Sequence, residues 1–519
     1  MPLLKLREGE FQLRKIFSLF LNEMLKIRKK IAVIVLVIVM TVGIIGSSAI
    51  FKIGSDLDDN DEWNEYWIEE NIAMEQEVLR ELESYKEPEE GKDQYYSDSL
   101  FNLKYRCNEC YLYGRYVKEN NIKETSYKYD ALNSMSSVYW VMLELEYCTE
   151  DGINSEEYKA EKAKYEKYDS IVKSGTYGEY IEYENKLIEE NSEIPQEKKK
   201  LLIANNNYLY QVCPTGEYNS IEEKDNVQRI LSKKAEIETT LSSGIDIERG
   251  GNLTDERKKE LQISLDVINK RMEDSVFKGT TSEYVQGFSF SASLSIGSLF
   301  TIVILIILAG AMMSAETSTG TIKSLIIAPV KRWKIYTAKY LALLFMMVIL
   351  TLYVYITSVL VNGLLFGFSA YGTEIYAVFG KVISINYFVV QFIYSICSMV
   401  PLLLFITFAY MMSIVTKSTA ASVSVSMGVY FGGSIVHTIM MGFLGNRPYI
   451  TKFLPFNNME WYGKIFENMI GSDISLSNIM NGEFFETPTS LGFSIVYVIV
   501  LLICMNWVAL DSFCRKDIK

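Results

Sequence analysis

The sequence predicts an all-α membrane protein: six transmembrane helices, with a large, mostly helical extracellular domain between the first and the second. Three observations carry that expectation. First, six stretches hold no Asp, Glu, Lys or Arg and reach the ~20 residues that cross a bilayer. They are Ile31–Phe51, Tyr284–Ala315, Tyr340–Thr373, Val382–Thr416, Ser418–Asn446 and Thr487–Leu510. Second, charge is partitioned. Lys52–Val285 holds 52 of the 64 acidic and 30 of the 51 basic residues, a net of −22, and the rest of the chain carries 12 and 21, a net of +9. Third, short basic flanks fall on one side of a six-span alternation: Lys26, Arg28, Lys29 and Lys30; Lys323, Lys331, Arg332, Lys334 and Lys339; Lys417; and Arg515, Lys516 and Lys519. That bias places both termini in the cytoplasm and Lys52–Glu283 outside the cell membrane. A single soluble globular enzyme is excluded. A nucleic-acid binder is disfavoured, because the water-soluble part would repel phosphates.

The elements follow in order. Residues 1–30 are expected as a cytoplasmic amphipathic helix. Spans are expected at 31–51, 284–314, 340–366, 385–415, 418–444 and 489–510. The extracellular parts are 52–283 and 445–488, the cytoplasmic ones 315–339 and the tail 511–519. Ile31–Phe51 is longer than a signal-peptide core and lacks a clear small-x-small cleavage site after it. An uncleaved span is the better reading.

Within 52–283, Trp63, Trp67, Met74, Val78 and Leu82 recur at helical spacing, as do Leu261, Leu265, Ile268 and Met272 after a cap at Thr254. Ala131–Leu143 is uncharged but too short to span, and reads as a buried core helix. Four cysteines lie in this region: Cys107, Cys110, Cys148 and Cys213. An even number in an oxidising compartment permits two bridges in three connectivities. The Cys107-x-x-Cys110 pair also invites a metal or redox reading, but no second pair and no histidine accompanies it. A structural disulfide or a buried thiol fits better.

Most catalytic chemistry is missing. The chain has one histidine, His437, which nearly excludes Ser-His-Asp triads and His-rich zinc sites. His437 reads either as a protonatable contact in the fifth span or, more simply, as a neutral residue packed against a neighbouring helix. No Gly-x-x-x-x-Gly-Lys-Ser/Thr loop occurs, so ATP is not held by that route. No charge lies inside the six uncharged runs, which argues against an ion-coupled carrier. No metal and no cofactor is expected in this chain.

Two segments stand out. In the connection AETSTGTIKSLIIAPVKRWKIYTAKY (Ala315–Tyr340), Glu316 marks the exit from lipid and Gly320 permits a turn. Ile322, Leu325 and Ile326 share a helical face, and Pro329 stops that helix. In the fifth span, Ser424, Gly428 and Gly432 form a small-x-x-x-small ladder suited to close helix packing. Its partner is either a helix of the same chain or a helix of a second chain.

The connection resembles that of the permeases of type-2 ABC exporters, the ABC-2 family. Glu316, Gly320, Thr321, Ile322, Lys323, Leu325, Pro329, Arg332 and Lys339 match the family's pattern in order. The run Asn22–Lys30, with Glu23, Lys26 and Arg28, resembles the family's connecting helix before the first span. Phe513–Ile518 resembles its short tail, and Leu454–Asn458 resembles a segment between its last two spans. The likeness covers about half of the chain, and the large outer domain departs from the usual short loop.

The resemblance implies a permease without its own ATP-binding motif, coupled to two copies of a separate ABC ATPase that holds ATP and Mg. A second permease, self or paralogue, completes the assembly in the lipid bilayer. The ATPase would be met by Glu316, Gly320, Thr321, Ile322, Lys323, Leu325, Pro329 and Arg332, with Glu316 and Arg332 binding each other or the connecting helix. The cargo class is expected to be antimicrobial peptides or other amphipathic compounds. The alternative is an ATPase-coupled mechanotransmitter or peptide sensor whose outer domain binds a ligand or cell-envelope partner without moving it.

Overall fold

A computed structural model describes residues 2–58, 61–85, 94–148, 151–246, 251–274, 281–318, 331–368, 373–444, 448–467 and 489–515. The chain divides into two compact units. One comprises Met1–Lys52, Asn269–Val276 and Val285–Lys519, and the other Ile53–Ile268 with Phe277–Tyr284.

The first unit holds α1 (Pro2–Arg28) and most of α2 (Ile31–Asp58). The acidic unit runs through α3 (Asp61–Ser84), α4 (Gln94–Tyr111), a π-helical turn (Leu112–Tyr116), α5 (Val117–Asn120), α6 (Tyr127–Cys148) and α7 (Glu156–Ser174). It continues with α8 (Tyr177–Glu190), α9 (Gln196–Val212), α10 (Ile221–Ser243) and most of α11 (Asp255–Glu273). The membrane unit resumes with α12 (Thr281–Met312), α13 (Ser314–Ser318), α14 (Arg332–Phe366), strands β1 (Thr373–Val378) and β2 (Lys381–Asn386), α15 (Tyr387–Cys397), α16 (Met399–Thr416) and α17 (Thr419–Leu444). It ends with α18 (Pro448–Thr451), α19 (Tyr462–Ile465), β3 (Phe466–Glu467) and α20 (Leu491–Arg515).

Among the described residues, six helical segments are long and apolar enough to cross a bilayer: Ile31–Asp56, Val285–Ser318, Arg332–Phe366, Tyr387–Thr416, Thr419–Leu444 and Leu491–Arg515. Their shared core gathers Met40, Ile44, Leu305, Ile306, Ala342, Leu343, Ile406 and Tyr410. Apolar side chains such as Val42, Ile356, Ile435 and Ile503 point outward, as lipid-facing residues do.

The spans differ from the uncharged runs in three ways. The first, second, third and sixth continue past their charge-free limits; the second and third thereby include Glu316 and Lys339, because a paired charge need not leave a helix. The fourth is broken at Ser398 into α15 and α16. The residues before it form a hairpin of β1 and β2, which β3 joins from beyond the fifth span in a small sheet of order β2-β1-β3 that the uncharged runs do not foreshadow. Thr373 pairs with Asn386 and Val378 with Lys381. Between the strands, Phe379 and Gly380 both take positive φ. That is the conformation of a two-residue I′-type turn.

After α18, Asn457 and Asn458 are buried in a 3₁₀ turn. Asn457 Nδ2 donates to Thr451 O (2.8 Å), and Asn458 Nδ2 to Lys452 O (2.8 Å) and Leu454 O (3.0 Å). Lys464 locks this turn to α20. Its ammonium donates to Asn457 O, Thr489 Oγ1 and Ser494 Oγ, each at 2.5 Å.

In the acidic unit, the core contains Leu112, Tyr116, Leu132, Met135, Tyr168 and Val172. The uncharged stretch Ala131–Leu143 is part of the longer α6, and only one face of it is core: Ala131, Leu132, Met135 and Leu143 are covered, whereas Trp140 and Val141 are exposed. Buried tyrosines keep their hydroxyls paired, as an interior polar tip requires. Tyr116 donates to Asp169 (2.7 Å) and Tyr168 to Glu184 (2.6 Å). The Lys224 ammonium joins Asp130 (2.9 Å) to the carbonyls of Glu124 (2.9 Å) and Ser126 (3.2 Å). Thr254 caps α11, accepting from the Arg257 N–H at 3.3 Å. Cys107, Cys110 and Cys213 are free thiols, and burial raises the first two above the ordinary thiol range. The Cys148 side chain lies outside the described set.

Two predictions arise here. Gly114, in the π turn, lies against α3, where an added Cβ would sit 2.9 Å from Ile72 N and 3.1 Å from Asn71. Gly114→Ala should therefore destabilise the protein by about 1–3 kcal/mol. Gly46→Ala, where a Cβ meets nothing within 4 Å, should leave thermal unfolding in detergent nearly unchanged. Burial pulls the Lys464 ammonium down to about 8 from 10.5, with Glu460 opposing. Between those values the unfolded chain binds more protons, so stability should rise with pH from about 8 toward 10.5. Lys464→Met should remove that rise, and identical pH profiles of unfolding for the two proteins would disprove it.

Candidate functional site

The functional candidate in the membrane unit lies where α1, the end of the second span and the start of the third meet. On α1, Glu23 and Ile27 are one turn apart and both buried, so this face turns inward, while Arg28 is exposed. Glu316 sits on α13, just beyond a break in the second span. The Ser413 hydroxyl of α16 accepts from the N–H groups of Met313 (3.2 Å) and Ser314 (3.0 Å) at that break. Ser314 Oγ meets Thr419 Oγ1 at 2.7 Å. These bonds satisfy a helix start that would otherwise bury unpaired donors, and they fix where Glu316 points.

From α14, Lys339 enters the same space with a side chain only 1 % exposed. Its ammonium lies 3.0 Å from Glu23 Oε2 and 2.9 Å from Glu316 Oε1, and it also approaches Met312 O at 3.4 Å. Lys26, on the rim, closes the ring at 2.8 Å from Glu23 Oε1 and 2.8 Å from Glu316 Oε1. Two cations and two anions thus form a neutral quartet across three elements. Burial works against the charge on Lys26, but hydrogen bonds to Glu23 and Glu316 outweigh it and raise its ammonium above the ordinary value. For Lys30, burial and then repulsion from Lys339 outweigh the attraction of Glu23 and Glu316, and its ammonium is lowered.

Behind the quartet lie three tyrosines. Tyr410 is fully buried and donates to Tyr336 O (3.1 Å), Tyr340 meets Thr407 Oγ1 (2.8 Å), and Tyr336 donates to Asn506 Oδ1 (2.7 Å). At the start of α14, Arg332 Nη1 donates to Cys514 O at 3.2 Å, tying the third span to the end of the sixth.

The residues singled out in the sequence therefore separate. Glu23, Lys26 and Glu316 are brought together, with Lys26 of α1 paired to both carboxylates. Gly320, Thr321, Ile322, Lys323, Leu325 and Pro329 lie outside the described residues. Lys339, the centre of the quartet, enters the sequence reading only as a basic flank and a motif position; a lone lysine at the edge of an apolar run is the available signal. Ser424 and Gly428 are exposed on α17, and a Cβ added at Gly428 or Gly432 would meet nothing within 4 Å. Among the described residues, no helix of this chain covers the ladder. His437 stacks on Phe456 with ring centroids 5.5 Å apart, and its Nδ1 has no hydrogen-bond partner among those residues.

Removing one partner from a buried ion pair leaves an uncompensated charge, which costs about 3–5 kcal/mol. An exposed pair contributes about 0–1 kcal/mol. Lys339→Met should thus lower thermal stability far more than Lys26→Ala, whose parent side chain is 44 % exposed. The triple change Lys339→Met, Glu23→Leu, Glu316→Leu should recover most of the loss. Equal effects of the two single substitutions, measured by thermal unfolding in detergent, would contradict the assignment of Lys339 as the centre.

The uncharacterized membrane protein YdbK of Bacillus subtilis (strain 168) is 26% identical over 268 residues, covering 50% of this chain and 92% of that protein. Half of the present chain thus lies outside that match. The family described as ABC-2 family transporter protein matches residues 17–518. With a match across nearly its whole length and six membrane-crossing helices, this multi-pass membrane protein belongs to the ABC-2 transporter family.

Proposed function

We propose that the chain is the permease subunit of an ATP-driven exporter, with both termini in the cytoplasm and residues 52–283 outside the cell. ATP and Mg are held by two copies of a separate ABC ATPase. The observation that carries this reading is the quartet of Glu23, Lys26, Glu316 and Lys339. It joins the connecting helix to two spans through contacts that survive only if the three elements move together. A displacement delivered to the connection at Glu316–Arg332 is therefore passed to the second and third spans and to α1 at once. Gly320, Thr321, Ile322, Lys323, Leu325 and Pro329 supply the surface that the ATPase meets, and Arg332 anchors it to the sixth span.

The uncovered ladder of Ser424, Gly428 and Gly432 supports packing of α17 against a second permease, since small residues let helices approach closely. The cargo we assign is an antimicrobial peptide or another amphipathic compound. The acidic character of the outer unit favours a cationic peptide over an anionic one.

Native mass spectrometry of the chain, purified in mild detergent from its own host, tests the assembly. Two permeases with two ATP-binding subunits are expected. Recovery of no ABC ATPase, even after crosslinking in intact membranes, would overturn the exporter reading and leave a sensor or scaffold. In the assembled complex, Glu316→Gln should weaken cargo-stimulated ATP hydrolysis by roughly 5–150-fold, the range of a coupling free energy of about 1–3 kcal/mol. Subunit copy number should not change.

A further inference from the structure

A groove of about 1160 Å³ runs between α1 and α14 beside the quartet. Its walls are Phe17, Leu21 and Leu25 on one side and Leu341, Phe345 and Val348 on the other. Phe17 is 60 % exposed and Leu25 57 %. An amphipathic helix laid against a span presents such side chains to lipid. Only Ser18 and Asn22 interrupt the apolar lining.

The wall of α14 continues upstream to Lys334, at helical spacing from Leu341, Phe345 and Val348. Lys334 is 4 % exposed, and its ammonium makes no ion pair or hydrogen bond among the described residues, lying only 5.7 Å from the Trp333 ring. The charges that act on it are Lys15, next to the groove-lining Ile16, and Lys331, and both repel it. Two like charges, Lys331 and Lys334, thus stand on α14 upstream of the apolar trough. An anion placed there would relieve the repulsion, and an alkyl chain attached to that anion would fill the trough. Trp333, 43 % exposed, adds an aromatic of the kind that sits at headgroup depth.

We propose that this groove binds one anionic glycerophospholipid of the adjacent leaflet, its phosphate on Lys331 and Lys334 and an acyl chain between Phe17 and Phe345. The site is independent of the exporter reading. A lipid seated there would rest against α1 and α14 next to Glu23 and Lys339, so its presence would bear on how firmly that junction closes.

The test is native mass spectrometry of the full chain after detergent incubation with equal amounts of phosphatidylglycerol and phosphatidylcholine. Phosphatidylglycerol should be retained at least about fivefold over phosphatidylcholine, a factor of the order one basic residue supplies at a membrane surface. Lys331→Glu should abolish the preference. Phe17→Asp, which leaves the lysines in place, should lower retention of both lipids. A benzophenone amino acid in place of Phe17, irradiated in native membranes, should form phospholipid adducts. Equal retention of the two lipids, or a preference that survives Lys331→Glu, would refute the site. Adducts to polypeptide instead of lipid would assign the groove to a second copy or another protein, and would refute it as well.

Discussion

The membrane unit depends on one constraint: an ammonium, that of Lys339, is buried where three elements meet and must be neutralised there. Isolated, it would be too costly to keep out of water. Glu316 can reach it only because the second span breaks at Met313 and restarts with its amides held by Ser413. Glu23 can reach it only because α1 lays its Glu23–Ile27 face against the spans. The packing of Tyr336, Tyr340 and Tyr410 behind the cluster completes a dry wall in which these charges turn to each other. The ion cluster is weak evidence for overall stability, since an apolar replacement of equal shape is often as good. What it specifies is register: no slip of α1 or α14 by one residue keeps all four contacts.

Much of this fold was legible in the sequence, because lipid demands a long run without charge and the chain supplies six. The limits of the runs were less legible. Absence of charge marks where a helix can face lipid, whereas Glu316 and Lys339 remain helical by facing each other. The sheet at Thr373–Asn386 was hidden because its alternating Ile, Tyr and Val residues adjoin apolar spans and blur into them; the Phe379-Gly380 pair between β-branched runs was the signal to read. The candidate site was half visible. The motif put Glu316 and Lys339 in order along the chain and Glu23 and Lys26 in another segment, but only packing shows that these are one cluster.

The acidic unit is governed by different physics. It buries tyrosines whose hydroxyls need acceptors, and its surplus of carboxylates supplies them, as at Asp169 and Glu184. At Asp130 and Glu184, desolvation outweighs the opposing pull of Lys224 and of the Tyr168 hydrogen bond, and both acids stand above the ordinary carboxylate range. The same composition that reads as surface charge is thus partly interior structure. The thiols of Cys107 and Cys110 lie on α4 as packing groups.

The sharing of a single oxygen within the quartet has a kinematic consequence. Glu316 Oε1 accepts from both Lys26 and Lys339, at 2.8 and 2.9 Å. Lys26 can withdraw into water and leave the inner triad of one cation and two anions still closed, whereas Lys339 has no solvent to withdraw into. The outer lysine therefore acts as a latch and the inner one as a pin. Rotation of α1 about Glu23 is the soft degree of freedom of this joint, and separation of the second and third spans is the stiff one.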